Sequence, residues 1–165
     1  MMSDLPALRH VLVAFALTYV LGFERNLRGS PAGDRTFSLI GVGAALVAAL
    51  ALRGAPNALA GVITGVGFIG AALTFRPTER SGEVVHGVTT AAAVFAAAAI
   101  GAAAGQGRIA LAALGTVLAL LALEIRHLPV LRLLDGRRWA HRFKDDDVMV
   151  TRSSGQRADR TDPAR

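Results

Sequence analysis

Four apolar stretches dominate the sequence, and the only charged residue within them is Glu124, near the end of the last one. Each stretch is 17 or 18 residues long, close to the roughly 20 residues with which an α-helix crosses a bilayer core. Arginines flank the stretches, and their long side chains can reach the interface and compensate for a short span. The pattern predicts transmembrane helices over 36–52, 58–75, 87–104 and 109–125.

A fifth span is predicted over 6–23, although its uncharged part is shorter and the helix must extend back through Arg9. Pro6 suits the first position of a helix, where a backbone N–H has no intrahelical partner. A cleaved signal peptide is the alternative. Residues 22–24 argue against it, because they do not form a small-residue cleavage site.

The distribution of basic residues orients these five spans. If the loops alternate sides, 15 of the 18 Lys and Arg residues fall in the segments 24–35, 76–86 and the region after 125. In membrane proteins the cytoplasmic loops carry the excess of Lys and Arg. The sequence therefore predicts an all-α membrane protein, a bundle of five transmembrane helices with its N-terminus outside and its C-terminus in the cytoplasm.

Composition excludes several other classes of protein. The chain contains no Cys, so disulfides, thiolate-bound zinc and iron–sulfur clusters are excluded. A net charge of +6 could suggest nucleic acid, but only 5% of the residues are aromatic and the basic residues separate apolar blocks. A nucleic-acid binder instead clusters its basic residues on one polar face. We expect the lipid bilayer as the partner, and no nucleic acid.

The region after the last span has a different character. Apolar and basic residues alternate over 127–144, which predicts a basic amphipathic segment lying on the inner membrane surface. A merely solvated juxtamembrane segment is the alternative, since Pro129 and Gly136 interrupt the pattern. The polar residues 145–165 lack periodicity and predict a disordered tail.

Small residues are frequent in the predicted helices. Two G-x-x-x-G pairs, Gly61 with Gly65 and Gly101 with Gly105, predict close helix crossings. Packing within one bundle is favoured over a dimer interface. A G-x-G-x-x-G match also occurs, but inside an apolar span it does not indicate dinucleotide binding. The glycines predicted to serve helix packing are Gly61, Gly65, Gly67, Gly70, Gly87, Gly101 and Gly105.

Polar residues gather where the first span ends, the second begins and the fourth begins. A carboxylate at the membrane edge needs a partner, and the spacing offers Glu24 either Arg35 or Arg25. The alternative is that these charges only fix the topology. The predicted charged and polar cluster consists of Glu24, Arg25, Asp34, Arg35, Thr36, Thr89 and Thr90.

Several of these residues belong to four blocks that resemble the MgtC/SapB family when read in order. The blocks are Glu24-Arg25, Gly29-Ser-Pro-Ala-Gly33 followed by Arg35-Thr36, Gly65-Val-Gly-Phe-Ile-Gly-Ala71, and Gly87-Val-Thr-Thr-Ala-Ala92. The resemblance implies a multi-pass protein of the bacterial inner (plasma) membrane, in a virulence-associated family linked to magnesium homeostasis. It further implies a membrane-protein partner such as ATP synthase, or a homo-oligomer. We expect a short form that lacks the C-terminal cytoplasmic domain of some members.

Two classes of function remain open. One is a regulatory or interaction module linked to magnesium homeostasis or membrane energetics, and the other is a small cation or solute transporter or channel. Transporters usually place ionisable residues near the bilayer midplane, and the four apolar stretches have none there. The regulatory module is therefore favoured, and enzyme activity is not expected. No cofactor is predicted, and Mg²⁺ is possible but not shown by the sequence. No two histidines have the spacing of metal ligands, and the three carboxylates of 145–147 are read as a solvated run rather than a dedicated Mg²⁺ site.

Overall fold

The structure, a computed structural model, describes residues 5–74 and 87–125. In these ranges it contains five α-helices and no strand, which confirms the all-helical prediction. The helices are α1 Leu5–Leu27, α2 Asp34–Ala51, α3 Ala58–Thr74, α4 Val88–Gly105 and α5 Ile109–Glu124. By length and composition α1, α2 and α4 could cross a membrane, whereas α3 and α5 are apolar but have 17 and 16 residues.

Residues up to Ala122 form one compact unit, in which all five helices begin. The second unit, Leu123–Arg165, lies almost wholly outside the described residues. The predicted basic segment 127–144 and the predicted tail 145–165 fall there as well.

Helix α1 continues four residues past the predicted end at 23 and then stops at a glycine turn. Gly29 has a φ of 67°, a left-handed conformation that costs glycine nothing. The Ser30 N–H donates to the Arg25 carbonyl at 3.0 Å, and the Gly29 N–H donates to the Asn26 carbonyl at 3.0 Å. These two bonds satisfy carbonyls that the helix end leaves free, so the chain reverses tightly into α2.

The turn between α4 and α5 also contains a glycine with a positive φ. Gly107 has a φ of 79°, and the N–H groups of Gly107 and Arg108 donate to carbonyls in the last turn of α4 at 2.8 and 2.9 Å. A loop of three residues, Gln106 to Arg108, thereby joins two apolar helices and pairs the carbonyls of Ala103 and Ala104 at the end of α4.

The core lies between α1, α2 and α4. Its largest fully buried side chains are Phe37, Leu21, Val94 and Thr18. Helix α3 packs on α4 where Gly70 lies against Ala91, and α5 contacts α4 where Gly115 lies against Ile100. Helices α3 and α5 therefore sit at the edge of the bundle.

The glycines of the two G-x-x-x-G pairs have different surroundings. Gly101 and Gly105 of α4 lie directly against the backbone of Gly41 and Ala45 in α2, where a Cβ atom would overlap backbone atoms. In contrast, no atom of the described residues lies within 4 Å of a Cβ placed at Gly61, Gly65 or Gly67. Helix α3 meets its neighbours through another face, and these three glycines are exposed.

The other predicted packing glycines take intermediate roles. A Cβ at Gly70 would make an ordinary 3.5 Å contact with Ala91 of α4. Gly87 precedes α4 with a φ of 91°, next to the Leu73 carbonyl at the end of α3. Gly87 therefore serves a tight junction between two helix ends rather than a crossing along their length.

Contacts between helix ends set the directions of the central helices. Ser30 Oγ lies 3.1 Å from Thr90 Oγ1, which joins the end of α1 to the start of α4. Gly107, just beyond α4, lies against the imidazole of His10 near the start of α1. Helices α1 and α4 are therefore antiparallel, and α2 runs parallel to α4.

Large apolar side chains cover the outside of all five helices. Phe68 of α3 is 78% exposed and Leu39 of α2 is 73% exposed. Contiguous exposed apolar surface of this extent is unfavourable in water. The described part of the chain thus has the surface of a membrane protein.

Candidate functional site

Glu24 and Arg25 form a buried ion pair at the end of α1. Each residue is only 8% exposed, although both are charged. The Arg25 Nε donates to Glu24 Oε2 at 2.5 Å and the Nη2 donates to Oε1 at 2.6 Å. The Arg28 Nε lies 3.6 Å from Glu24 Oε1. Both carboxylate oxygens are thus engaged by this two-pronged contact, the strong form of an arginine–carboxylate pair.

The sequence offered Glu24 two partners, and the structure pairs it with Arg25 rather than with Arg35. Arg35 is exposed in the first turn of α2, and no ion pair joins it to a carboxylate of the described residues. Its backbone N–H donates to Asp34 Oδ1 at 2.7 Å, so the Asp34 carboxylate accepts a hydrogen bond within the first turn of its own helix. Thr36 follows, half-buried.

The two predicted threonines of α4 separate. Thr90 is buried and shares a hydrogen bond of 3.1 Å with Ser30, whereas Thr89 is exposed. Neither threonine has a hydrogen bond to Glu24 among those of the described residues. The predicted cluster therefore divides into three groups. Glu24 and Arg25 form a buried ion pair, residues 34–36 form the polar start of α2, and Thr90 contacts the α1–α2 turn through Ser30.

Two residues of this region were not among the predicted site residues. Ser30 supplies the contact to α4, and the Asn26 carboxamide occupies the space that a side chain at position 33 would fill. Both are uncharged, so a search for ionisable groups passes over them. The sequence did indicate them in one way: Asn26 and Ser30 lie close to Gly29 and Gly33, in a segment whose composition is typical of a turn.

Two cavities meet at Arg35. A polar cavity of about 490 Å³, here called the turn pocket, lies at the α1–α2 turn. An apolar cavity of about 360 Å³, here called the α1–α2 groove, runs between the two helices. The turn pocket is lined by Asn26, Ser30, Pro31, Gly33, Asp34, Arg35, Thr36 and Leu39. The groove is lined by Phe15, Tyr19, Arg35, Ser38, Leu39 and Val42.

A further cavity of about 290 Å³ lies beside α4, between α3 and the start of α5. Its walls are mainly alanine and aliphatic side chains, with Gln106 and Arg108 among them. Within residues 5–74 and 87–125, no group of three or more His, Cys, Asp or Glu side chains is placed to hold a metal ion.

The charged residues and the α1–α2 turn fall within a stretch that matches a known family. The model of the MgtC family matches residues 11–129, which include four of the five helices in full and most of α1. The chain belongs to the MgtC family. The resemblance seen in the sequence blocks is thereby confirmed.

Named relatives in the MgtC family come from several bacteria. Protein SrpB of Synechococcus elongatus is 40% identical over 129 residues, covering 69% of this chain and 71% of SrpB. The putative magnesium transporter YhiD of Escherichia coli is 38% identical over 141 residues, covering 78% of this chain and 63% of YhiD. Protein MgtC of Brucella abortus is 39% identical over 109 residues, covering 63% of this chain and 44% of MgtC.

The chain thus spans under two thirds of YhiD and under half of the Brucella MgtC. No solved structure matches it. The matched region in this MgtC-family chain is the helical bundle with its charged turn.

Proposed function

We propose that this MgtC-family chain is a multi-pass protein of the bacterial inner membrane that acts as a non-catalytic regulatory or interaction module in magnesium homeostasis. The observation that carries the proposal is the state of Glu24. Both of its carboxylate oxygens are held by Arg25, so this carboxylate neutralises a buried guanidinium instead of offering ligands to a passing cation. The names of the relatives YhiD and MgtC supply the link to magnesium.

The proposed topology has five crossings with the N-terminus outside. Parallel α2 and α4, both antiparallel to α1, support an alternating path through the membrane. The shorter helices α3 and α5 would complete it, with flanking arginines compensating for their length.

Because the chain has no Cys, single introduced cysteines report the topology without background. Ala55→Cys and Gln106→Cys, in the turns after α2 and α4, should react with an impermeant maleimide on intact spheroplasts. Pro31→Cys, in the α1–α2 turn, should react only after permeabilisation. Labelling of Pro31→Cys in intact spheroplasts with protection of the other two would reverse the proposed orientation.

The regulatory function is tested by comparing growth with transport. In a bacterium that lacks its own MgtC-family protein and grows poorly at low Mg²⁺, this chain should restore growth. The purified chain in liposomes should show the same Mg²⁺ influx as empty liposomes. A control with a known Mg²⁺ channel in the same liposomes establishes that influx is measurable.

Transport is the second candidate function, and the name of the relative YhiD favours it. Robust Mg²⁺ uptake by the purified chain alone would support transport and overturn the regulatory proposal. If growth is restored without uptake, the module acts through another component, for which another membrane protein is the proposed class of partner. Cross-linking in the complemented cells would then separate a partner protein from a second copy of the chain.

A further inference from the structure

The α1–α2 groove and the turn pocket lie side by side and are here taken together as one depression. They share Arg35 and Leu39, one end being polar and the other apolar. Along α2 the residues Arg35, Leu39 and Val42 follow one another at spacings of four and three, which places them in one stripe. This stripe is about 10 Å long, at 1.5 Å of helix rise per residue.

The other wall of the groove is formed by Phe15 and Tyr19 of α1, the first two of three stacked aromatic rings. The ring centroids of Phe15 and Tyr19 are 5.9 Å apart, and those of Tyr19 and Phe23 are 6.4 Å apart. Stacked rings at successive helical turns form a firm apolar wall, because each ring restricts the rotamers of the next. Phe15 and Tyr19 are more than 40% exposed, so nothing in the described residues covers the groove.

The polar end carries one charge of each sign. Asp34 and Arg35 both line the turn pocket, and neither takes part in an ion pair with another described residue. The hydroxyls of Ser30 and Thr36 and the carboxamide of Asn26 complete the lining. A matching ligand therefore has an anionic group for the guanidinium, a cationic group for the carboxylate, and an apolar chain for the groove.

We infer that this depression is a binding site for a zwitterionic aminophospholipid, phosphatidylethanolamine. Its phosphate accepts hydrogen bonds from the Arg35 guanidinium, a planar donor suited to phosphate. Its ammonium donates to the Asp34 carboxylate, and one acyl chain lies between the aromatic row of α1 and Leu39. The inference rests on the proposed membrane location of α1 and α2 and is independent of the role in magnesium homeostasis.

The position of the depression along the helices suits a lipid headgroup. The turn pocket lies where α1 ends and α2 begins, and both helices are long and apolar enough to span a membrane. Helix ends of this kind lie at the depth of the headgroups, and the groove then runs from there towards the acyl chains.

Native mass spectrometry of the purified full chain tests the site. The protein is incubated with equal amounts of phosphatidylethanolamine and phosphatidylglycerol that carry the same acyl chains. We expect the wild-type chain to retain phosphatidylethanolamine about fivefold more than phosphatidylglycerol, the factor that one additional interfacial ion pair provides. Equal retention, or preference for the anionic phosphatidylglycerol, would overturn the match to a zwitterion.

Two substitutions separate the two charges. Arg35→Gln removes the phosphate contact and should lower retention of both lipids about tenfold, since a guanidinium–phosphate pair contributes two hydrogen bonds. Asp34→Asn removes only the ammonium contact and should bring the ratio of the two lipids to about one. Arg9→Gln is the matched control, because Arg9 is exposed at the opposite end of α1. If the Arg35→Gln variant retained both lipids as the wild-type chain does, the proposed site would be wrong.

A pair of leucines tests the groove. Leu39 lines it, while Leu46 is 51% exposed on the same helix and lines neither the groove nor the turn pocket. Leu39→Ala should lower retention of both lipids about threefold, the effect of removing part of an apolar contact, and Leu46→Ala should not. Equal effects of the two changes would show that the lipid coats the bundle without occupying the groove. Thermal melting of each variant in detergent verifies that it is folded.

Discussion

Replacing Gly101 with valine should lower the free energy of unfolding by about 3 kcal/mol, the upper part of the range for overpacking a close contact. A side chain at this position would overlap the backbone of Gly41 in α2, which cannot rotate away as a flexible side chain would. Helices α2 and α4 would have to separate, and with them the centre of the bundle. Thermal unfolding of the purified protein in detergent, followed by circular dichroism, measures the loss.

Gly65→Val is the matched control for this change. It adds the same atoms in the middle of another helix, where no described atom lies within 4 Å of the new Cβ. We expect a change of less than about 0.5 kcal/mol, as for a surface substitution. A large loss at Gly65 would indicate that the outer face of α3 is covered by another chain, because nothing in the described residues covers it.

Replacing Glu24 with glutamine should cost about 3–5 kcal/mol, the range measured when one partner of a buried pair is removed. The guanidinium of Arg25 is held on both oxygens of Glu24 and would remain buried with a weaker, neutral acceptor. The variant should therefore melt earlier and accumulate less in the membrane. Asp34→Asn also removes one carboxylate charge, but from a half-buried residue without an ion pair, and should change stability by less than about 0.5 kcal/mol.

The double variant Glu24→Gln/Arg25→Gln separates a structural role from a functional one. Removing both charges leaves no buried guanidinium without a partner, since Arg28 is partly exposed, so much of the lost stability should return. If this variant is stable and supports growth at low Mg²⁺, the pair serves folding alone. Equal destabilisation in the single and double variants would contradict the account of Glu24 as the partner of a buried charge.

The helices could be predicted from the sequence because their cause is local. Apolar runs of 17 or 18 residues, charged only at Glu124, place four of the five helices to within two residues at each end. Helix α1 extends four residues beyond the predicted end of the first span, through Glu24 and Arg25 to Leu27.

Which glycines form crossings could not be predicted, because the two G-x-x-x-G pairs have the same pattern. In water, the apolar face of a helix reveals the direction of its neighbour. In lipid both faces are apolar, so the sequence of α3 does not distinguish a contact with α4 from a contact with acyl chains. Only the structure distinguishes the packed pair, Gly101 with Gly105, from the exposed pair, Gly61 with Gly65.

For the charged site too, the sequence determined one part and the structure another. By itself the sequence determined that a carboxylate at the membrane edge needs a cation, because the cost of an unpaired charge is independent of the fold. The structure shows that this cation is Arg25, the next residue of the same helix, and the packing of α2 leaves Arg35 exposed beside the groove. It also brought Ser30 to Thr90 across 60 positions of sequence. Contacts of this kind depend on how helices pack, and the packing is a property of the whole bundle rather than of any one segment.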